Sequence, residues 1–599
     1  MDSCRPCTDD ATTARLNLNA LASAGCLAIQ SPRMEPVGVN YYFRLLQLSR
    51  PLALSASLLF IAAGADRPID YVAAQVSPSD RVVAQQAAEA EVSNLSENPP
   101  AADFVATDPS QVSAVAEPAK SALPEHTSPA SRTPVIESAV QPQPVPAMNK
   151  QQTAPNKPVP KAYAGVFYTN DFSYLGSADY DGPYFIGDSL KGMADGRLDV
   201  GGEYRTRYHQ ENNIRGFGLT GRDDAFWLSR LRLFSNYRVT DNIRFYGEYL
   251  YADSGGEIYA PRATEENRGE AQNLFFDAKL YDSGAGTISA RVGRQELLLG
   301  QQRLVSPLDW GNSRRTFDGY RLTYASQEFD GDLFYTNPVN RVPATGGTNH
   351  WDSSNHDHSF YGAYLSRKDW AAGTVDAYYL GYDDRPADFS YHTLGSRLSG
   401  SGDYVMYELE GGLQFGENSN GSSHNATFVT GGLGRKMDLC VAGEPWQPTL
   451  WAYYDYASGG NSALVQRGDN GFDHLFPLGH RYLGFMDLFG RRNIHDVNMQ
   501  FSTPMGSRVN LLVWYHYFFL DQATTPYGLG MVPFNAGNTA GSRDLGHEID
   551  LLATVNMDAR NSFLVGYSFF GAGRYYDTTS GVPTNANADF LYVQYQTQF

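Results

Sequence analysis

Arginines and carboxylates recur at alternate positions along several short stretches of this chain, and alternate spacing is what brings side chains onto one face of a β-strand. In Arg197–Gln210, RLDVGGEYRTRYHQ, one face carries Asp199, Glu203, Arg205, Arg207 and His209 and the other Leu198, Val200, Tyr204, Thr206 and Tyr208. Trp227–Tyr237 sets Arg230, Arg232 and Asn236 against Trp227, Leu231 and Leu233, and Ile243–Tyr251 sets Arg244 and Glu248 against Ile243, Phe245, Tyr249 and Tyr251. Leu274–Leu280 sets Asp277 and Lys279 against Leu274, Phe276, Ala278 and Leu280, and His547–Val555 sets Glu548 and Asp550 against Ile549, Leu551, Ala553 and Val555. Arg291 falls on the same charged side. A guanidinium is planar, stays charged in confinement and grips carboxylates with two parallel hydrogen bonds. Such a file of cations could contact a passing anion. It could equally pair with Glu203, Glu248, Asp277, Asp318, Glu548 and Asp550 and brace a wall, and both readings stay open for each arginine.

Other chemistry is thinly represented. The segment NHWDSSNHDHSF holds His350, His356 and His358 with Asp352 and Asp357, but their spacing matches no closed zinc pattern, and a polar surface loop without metal is expected. His516 and His547 fall on strands, yet no Ser/His/Asp set is grouped by its sequence context, so no catalytic residue, enzyme activity or cofactor is expected. The formal charge of −19 argues against a nucleic-acid partner.

The elements that position the charges are strands. From about Ala162, segments of roughly 8–12 residues alternate in polarity between turn residues. Tyr (39), Phe (32) and Gly (58) are abundant, and no stretch reaches the roughly 18 uninterrupted apolar residues that a spanning helix needs. Alternation alone does not say whether the apolar face is a core or a lipid surface. Three features favour lipid. Aromatics cluster at strand ends as in an interfacial girdle. The chain ends on the alternating strand Leu591, Val593, Tyr595, Thr597, Phe599, a terminal aromatic that resembles an outer-membrane assembly signal. An export signal precedes it all. Pro51–Ala65, PLALSASLLFIAAGA, follows Arg44 and Arg50 and ends in small residues, which fits a signal peptide cleaved near Ala65. That run lies late for a start at Met1 and well for a start at Met34. Cys4, Cys7 and Cys26 precede it, leaving Cys440 unable to form an internal disulfide.

The expected organisation is therefore a signal region over 1–65, a Pro/Ala-rich disordered periplasmic tether over 66–160 that could grip cell wall or an export partner, and an all-β transmembrane antiparallel barrel over 161–599. About 440 residues divide into roughly 16–20 strands, an even number.

Two blocks carry a family resemblance. Gly293–Leu322 reads GRQELLLGQQRLVSPLDWGNSRRTFDGYRL, and Phe476–Val497 reads FPLGHRYLGFMDLFGRRNIHDV. Both resemble the alginate export family of outer-membrane barrels, and the resemblance runs from about residue 195 to the C-terminus. It implies an 18-stranded monomeric barrel in the outer-membrane lipid, with an electropositive lumen passing an anionic uronate polysaccharide outward. Within the blocks it adds Arg294, Arg303, Arg314, Arg315, Arg321, Arg481, Arg491 and Arg492 to the arginines and Lys279 as candidates for the polymer's path, with Trp310, Phe317 and Tyr320 as rings that could stack on sugars. A generic anion-selective porin or uptake channel for small solutes is the alternative.

Overall fold

The protein is described by a computed structural model, which covers residues 163–599 apart from 179, 343–350, 403, 442, 461–469, 537 and 584–585. The expected signal and tether lie outside the described residues, as does His350.

Eighteen strands form one sheet closed on itself. They are β1 (Leu198–Asn212), β2 (Asp224–Arg238), β3 (Ile243–Gly255), β4 (Asn267–Ser283), β5 (Gly286–Gln295), β6 (Phe317–Ala325), β7 (Phe329–Pro338), β8 (His358–Trp370), β9 (Gly373–Asp384), β10 (Phe389–Ser401), β11 (Met406–Glu417) and β12 (Ser423–Lys436), then β15 (Thr449–Ala457), β16 (Ile494–Met505), β17 (Val509–Phe519), β18 (Asp544–Asn556), β19 (Asn561–Ala572) and β20 (Ala588–Gln598). A small hairpin, β13 (Leu439–Val441) with β14 (Glu444–Trp446), bridges β12 and β15. Each barrel strand pairs antiparallel with its neighbours in sequence, and β20 pairs with β1 to close the ring, Glu203 opposite Gln598 and Asn212 opposite Asp589. Closure leaves no sheet edge with unpaired backbone groups, which lipid could not solvate.

The period-two pattern translates directly. Tyr204, Trp227, Leu233, Phe276 and Leu413 are exposed on the outside, while Glu203, Arg205, Arg207, Arg230 and Arg232 are buried inside. An apolar belt running round the whole barrel is far beyond what a water-facing surface tolerates, so its solvent is lipid. Short connections such as 239–242, 371–372 and 506–508 lie at the end that holds both ends of the barrel chain, and long ones such as 296–316, 458–493 and 520–543 at the other.

The first strand begins at Leu198, not at the composition change near Ala162. Residues 163–197 instead form a strap of single turns, Phe167–Thr169, Ser173–Gly176 and Asp188–Leu190 among them. Tyr163, Phe167, Tyr168 and Phe172 of the strap pack on Phe234, Tyr246 and Phe275, inward residues of β2, β3 and β4. The rise in aromatics at this point thus marks rings inserted into the lumen, not a first strand.

Candidate functional site

The two blocks that carried the resemblance contain long loops that fold into the barrel and join there. Val305 and Phe476 form a parallel bridge. Around it Ser306 N donates to the Phe476 carbonyl (2.8 Å), Phe476 N to that of Leu304 (2.8 Å) and Leu478 N to that of Gln302 (3.0 Å). Apolar residues of both loops, among them Leu297, Leu304, Phe472, Leu488 and Phe489, belong to the main buried cluster. The lumen is therefore a packed interior with charges held in place.

Asp309, at the tip of loop 296–316, is the hub of the arginines. Arg230 Nη2 lies 2.9 Å from its carboxylate and 2.6 Å from Glu203, and Arg314 pairs with both Asp309 and Glu296. Arg205 donates to the carbonyls of Asp309 (2.8 Å) and Gly311 (2.6 Å). The enclosed site penalises charge on Asp309, but the guanidinia of Arg314, Arg230 and Arg205 outweigh that and hold its carboxyl well below the usual range. Arg207 donates to Gln594 Oε1 (2.9 Å) and to the Trp310 carbonyl (2.9 Å).

The remaining path candidates are placed as follows. Arg232 pairs with Glu248 (2.6 Å), Arg244 and Arg291 share Asp277, and Arg321 pairs with Asp332 (2.6 Å). Arg294 pairs with Glu270 and Asp318, Arg303 with Glu410 (2.8 Å) and Glu408 (3.1 Å), and Arg491 with Asp455 (2.7 Å). Lys279 pairs with Asp282, 2.8 Å away. Arg481 is exposed and donates to Gln301 Oε1 (3.2 Å), and Arg492 donates to the Gly471 carbonyl (2.9 Å). Glu548 and Asp550, expected as partners of arginine, face other groups: Glu548 accepts from Met486 N (2.9 Å), and Asp550 accepts from the Ser568 hydroxyl (2.5 Å) and lies 3.7 Å from His516. They hold loop 458–493 against β18.

Arg315 and Arg341 stand apart. Arg315 donates to the carbonyls of Ser306 (3.2 Å) and Pro477 (3.3 Å), and Arg341 to the Ser313 hydroxyl (3.4 Å). Among the described residues neither has a carboxylate within ion-pair distance. Burial pushes the Arg315 guanidinium well below the usual arginine range, with Arg341 adding to the effect, and pushes Arg341 down to about 10. Both line a cavity of about 430 Å³, open to the long-loop end, together with Arg207, Arg262, Trp310 and Asp487. Four guanidinia face it against the carboxylates of Glu211, Glu265 and Asp487, and Arg262 takes up the first two (2.7 and 2.9 Å).

Two of the three signature rings are already engaged inside the barrel. Trp310 stacks on His480 (3.5 Å) and carries Arg207 at 3.7 Å, Phe317 is fully buried among Phe360 and Phe476, and Tyr320 points outward, 67 % exposed. Of the histidine segment, His356 is exposed, and His358 opens β8 with Nδ1 2.7 Å from the Tyr382 hydroxyl. The segment is exposed at Trp351, Ser353, His356 and Asp357 and is tied to its surroundings, with Asn355 N donating to the Pro338 carbonyl (2.7 Å) and Asn267 to Asp352 (2.8 Å). Among the described residues no group of three or more His, Cys, Asp or Glu is arranged to hold a metal. Sequence reading missed Asp309, Glu296, Arg262 and Arg341. All lie in loops, where no period marks a facing. Asp309 and Glu296 stood inside the first signature block and could have been proposed as partners for its arginines.

Residues 196–588 match the alginate export family, well over half of the chain. No curated protein matches it. Among solved structures, the chain is similar to the Pseudomonas aeruginosa outer membrane protein opdK (14 % identity, TM-score 0.45, 67 % of this chain and 99 % of that one). It is also similar to a BenF-like porin from Pseudomonas fluorescens Pf-5 (12 %, 0.46, 67 % and 98 %) and to P. aeruginosa OccK11 (14 %, 0.42, 70 % and 100 %). The family match extends across both signature loops and nearly the whole closed barrel, so the protein is an outer-membrane channel and the chain belongs to the alginate export family.

Proposed function

We propose that the barrel passes an anionic, alginate-like exopolysaccharide outward along its inner arginines. The observation that carries this reading is the pair Arg315 and Arg341, two half-buried guanidinia on the wall of an open cavity that have, among the described residues, no carboxylate within ion-pair distance. Burying an unpaired charge is costly, and a carboxylate arriving from solution relieves the cost. A polyuronate presents about one carboxylate per sugar, and a pore that must release it needs several modest contacts in series. Arg207 and Arg205, bonded among the described residues to neutral acceptors, continue the basic surface inward. On this reading the barrel acts as a monomer, since it encloses its own path, and residues 66–160 tether it to cell wall or to a periplasmic export partner. Planar-bilayer recording tests it. Oligo-uronates added from either side should block the current, and Arg315→Gln with Arg341→Gln should weaken the block at least tenfold. A wild-type pore indifferent to uronates would refute the reading.

One observation favours a second. The cavity, about 430 Å³, has the size of a small-molecule site, and the inward loops around it are bonded to one another. A generic porin or uptake channel for small organic acids would fit that size, and would show saturable permeation of such acids without block by oligomers.

A further inference from the structure

Four inner-wall arginines lie beneath the strap. The Phe167 ring is 3.6 Å from the Arg232 guanidinium and the Tyr168 ring 4.1 Å from that of Arg291. The Tyr168 carbonyl accepts from Arg244 (2.9 Å), and its hydroxyl accepts from Arg321 (3.4 Å). Two further bonds run from the strap to the inward loop: Arg314 donates to the Gly165 carbonyl (3.0 Å), and the Tyr168 hydroxyl donates to that of Glu296 (2.9 Å).

We propose that residues 163–176 are a built-in plug for the end of the lumen that holds both chain ends, seated on the basic wall and leaving as a unit to open it. Three observations support this. First, the strap takes no part in the barrel sheet. It is held by buried rings, by bonds from the Tyr163 and Tyr168 hydroxyls to the Phe599 and Glu296 carbonyls, and by bonds from arginines to neutral carbonyls and hydroxyls, which are weaker than bonds to a carboxylate. An incoming anion can therefore displace it. Among the described residues Arg244 and Arg291 share the one carboxylate Asp277, so unseating Tyr168 exposes net positive charge.

Second, an exposed stretch joins head and foot, with Tyr184 66 % and Ile186 88 % exposed, and the two meet the wall at shared side chains: Arg560 pairs with Asp188 of the foot (3.2 Å) and donates to the Tyr174 hydroxyl of the head (2.9 Å), and Lys191 Nζ donates to the Val200 carbonyl (2.6 Å) while lying 4.8 Å from the Phe172 ring. Third, the foot joins β1 through a run of left-handed backbone: Gly192 (φ 65°), Ala194 (51°), Asp195 (58°) and Gly196 (81°). Two of these are not glycine, and such a run is uncommon outside a tight reversal. It turns the chain back from β1 into the barrel.

The inference concerns gating and holds whichever anion passes. Its test uses the full chain with a protease site inserted after Pro183, so that the barrel folds before the head is cut free. Cleavage in a planar bilayer, with release confirmed by mass spectrometry, should raise unit conductance at least twofold and increase preference for chloride over potassium. Arg244→Gln with Arg291→Gln should abolish the preference that cleavage adds. A released head with unchanged conductance overturns the proposal. So does a cut head that stays seated even when Phe167→Ala and Phe172→Ala have removed two of its buried rings.

Discussion

Arg207 holds Trp310 twice, with its guanidinium 3.7 Å from the indole centroid and its Nη1 2.9 Å from the Trp310 carbonyl oxygen. Since Trp310 also stacks on His480, the tip of loop 296–316 is fixed between β1 and loop 458–493. An arginine of this lumen can thus be both fastener and part of the cavity wall. Charge alone does not separate the two roles, whereas geometry does. Arg207→Lys keeps the charge and loses the planar contact, worth about 0.5–2 kcal/mol for a cation on an aromatic face. The expected outcome is a channel of unchanged ion preference with noisier open current, as loop 296–316 fluctuates. A quiet channel would mean that the contact does not hold the loop.

Arg230 should behave differently from Arg207. It is fully buried with Glu203, and Arg230→Ala would leave that carboxylate without its ion-pair partner. Breaking a buried pair costs about 3–5 kcal/mol. The temperature at which the folded, fast-migrating gel band is lost should therefore drop markedly, and the double variant Arg230→Ala, Glu203→Gln should recover part of the loss. Equal losses in the single and double variants would show that Glu203 is not the group left exposed.

Phe599 fastens the seam. Its N–H donates to the Gly202 carbonyl (3.0 Å), and Gly202 N donates to the Phe599 carbonyl (2.8 Å), so the last residue completes the β20–β1 closure. Deleting Phe599 removes both bonds, while Phe599→Ala keeps them and removes only the ring. Assembly yield in outer-membrane fractions should fall in the order wild type, Phe599→Ala, deletion. If the two variants fall equally, the ring and not the seam is what assembly requires.

The parts of this structure governed by a strict period were legible in the sequence. Glu203, Arg205 and Arg207 were placed inward and Tyr204 and Tyr208 outward because a strand leaves no other choice once one face meets lipid. The resemblance assigned from about residue 195 onward agrees with the family match over 196–588. Ion-pair partners were much less legible. Asp309 and Arg341 reach the lumen because loops fold inward, and that path is set by long-range contacts such as Val305 with Phe476, which no local pattern encodes. The strap was hidden for the opposite reason: its rings raise aromatic content in the same way a strand would, without the alternation.

His474 should make loop 458–493 sensitive to acid. Its Nε2 sits 2.8 Å from the Leu529 carbonyl, and its Nδ1 accepts from Arg491 N (3.2 Å), so the bonded ring is neutral. Burial, with Arg491 assisting, lowers its pKa to about 4, against an ordinary value near 6.5. Above about pH 6.5 the ring is neutral whether the loop is docked or free, and its contribution is constant. Between about 6.5 and 4 only the free ring takes a proton, so docking weakens steadily as pH falls. The difference in thermal midpoint between wild type and His474→Gln should be constant above pH 6.5 and shift against the wild type below it. A difference independent of pH would rule His474 out as the acid-sensitive group.

Ion preference should be set locally, against the sign of the chain as a whole. The formal charge is −19, yet selectivity follows the narrow part of the path, where low-dielectric walls strengthen each charge. Most arginines expected along the path are neutralised by adjacent carboxylates, as Arg232 is by Glu248 and Arg321 by Asp332. The excess positive charge therefore rests on Arg315 and Arg341 at the cavity, with Arg205 and Arg207 behind them. Wild type should favour chloride over potassium severalfold at 0.1 M salt. Arg315→Gln with Arg341→Gln should bring the ratio near unity, and Arg315→Glu with Arg341→Glu should invert it. Arg321→Gln should change selectivity little, since it removes a charge that Asp332 already balances. Preference should shrink towards 1 M salt, where the Debye length falls to about 3 Å and no longer spans the cavity. Cation preference in the wild type, or a shift with Arg321→Gln as large as that with Arg315→Gln, would place the selective charge elsewhere in the barrel.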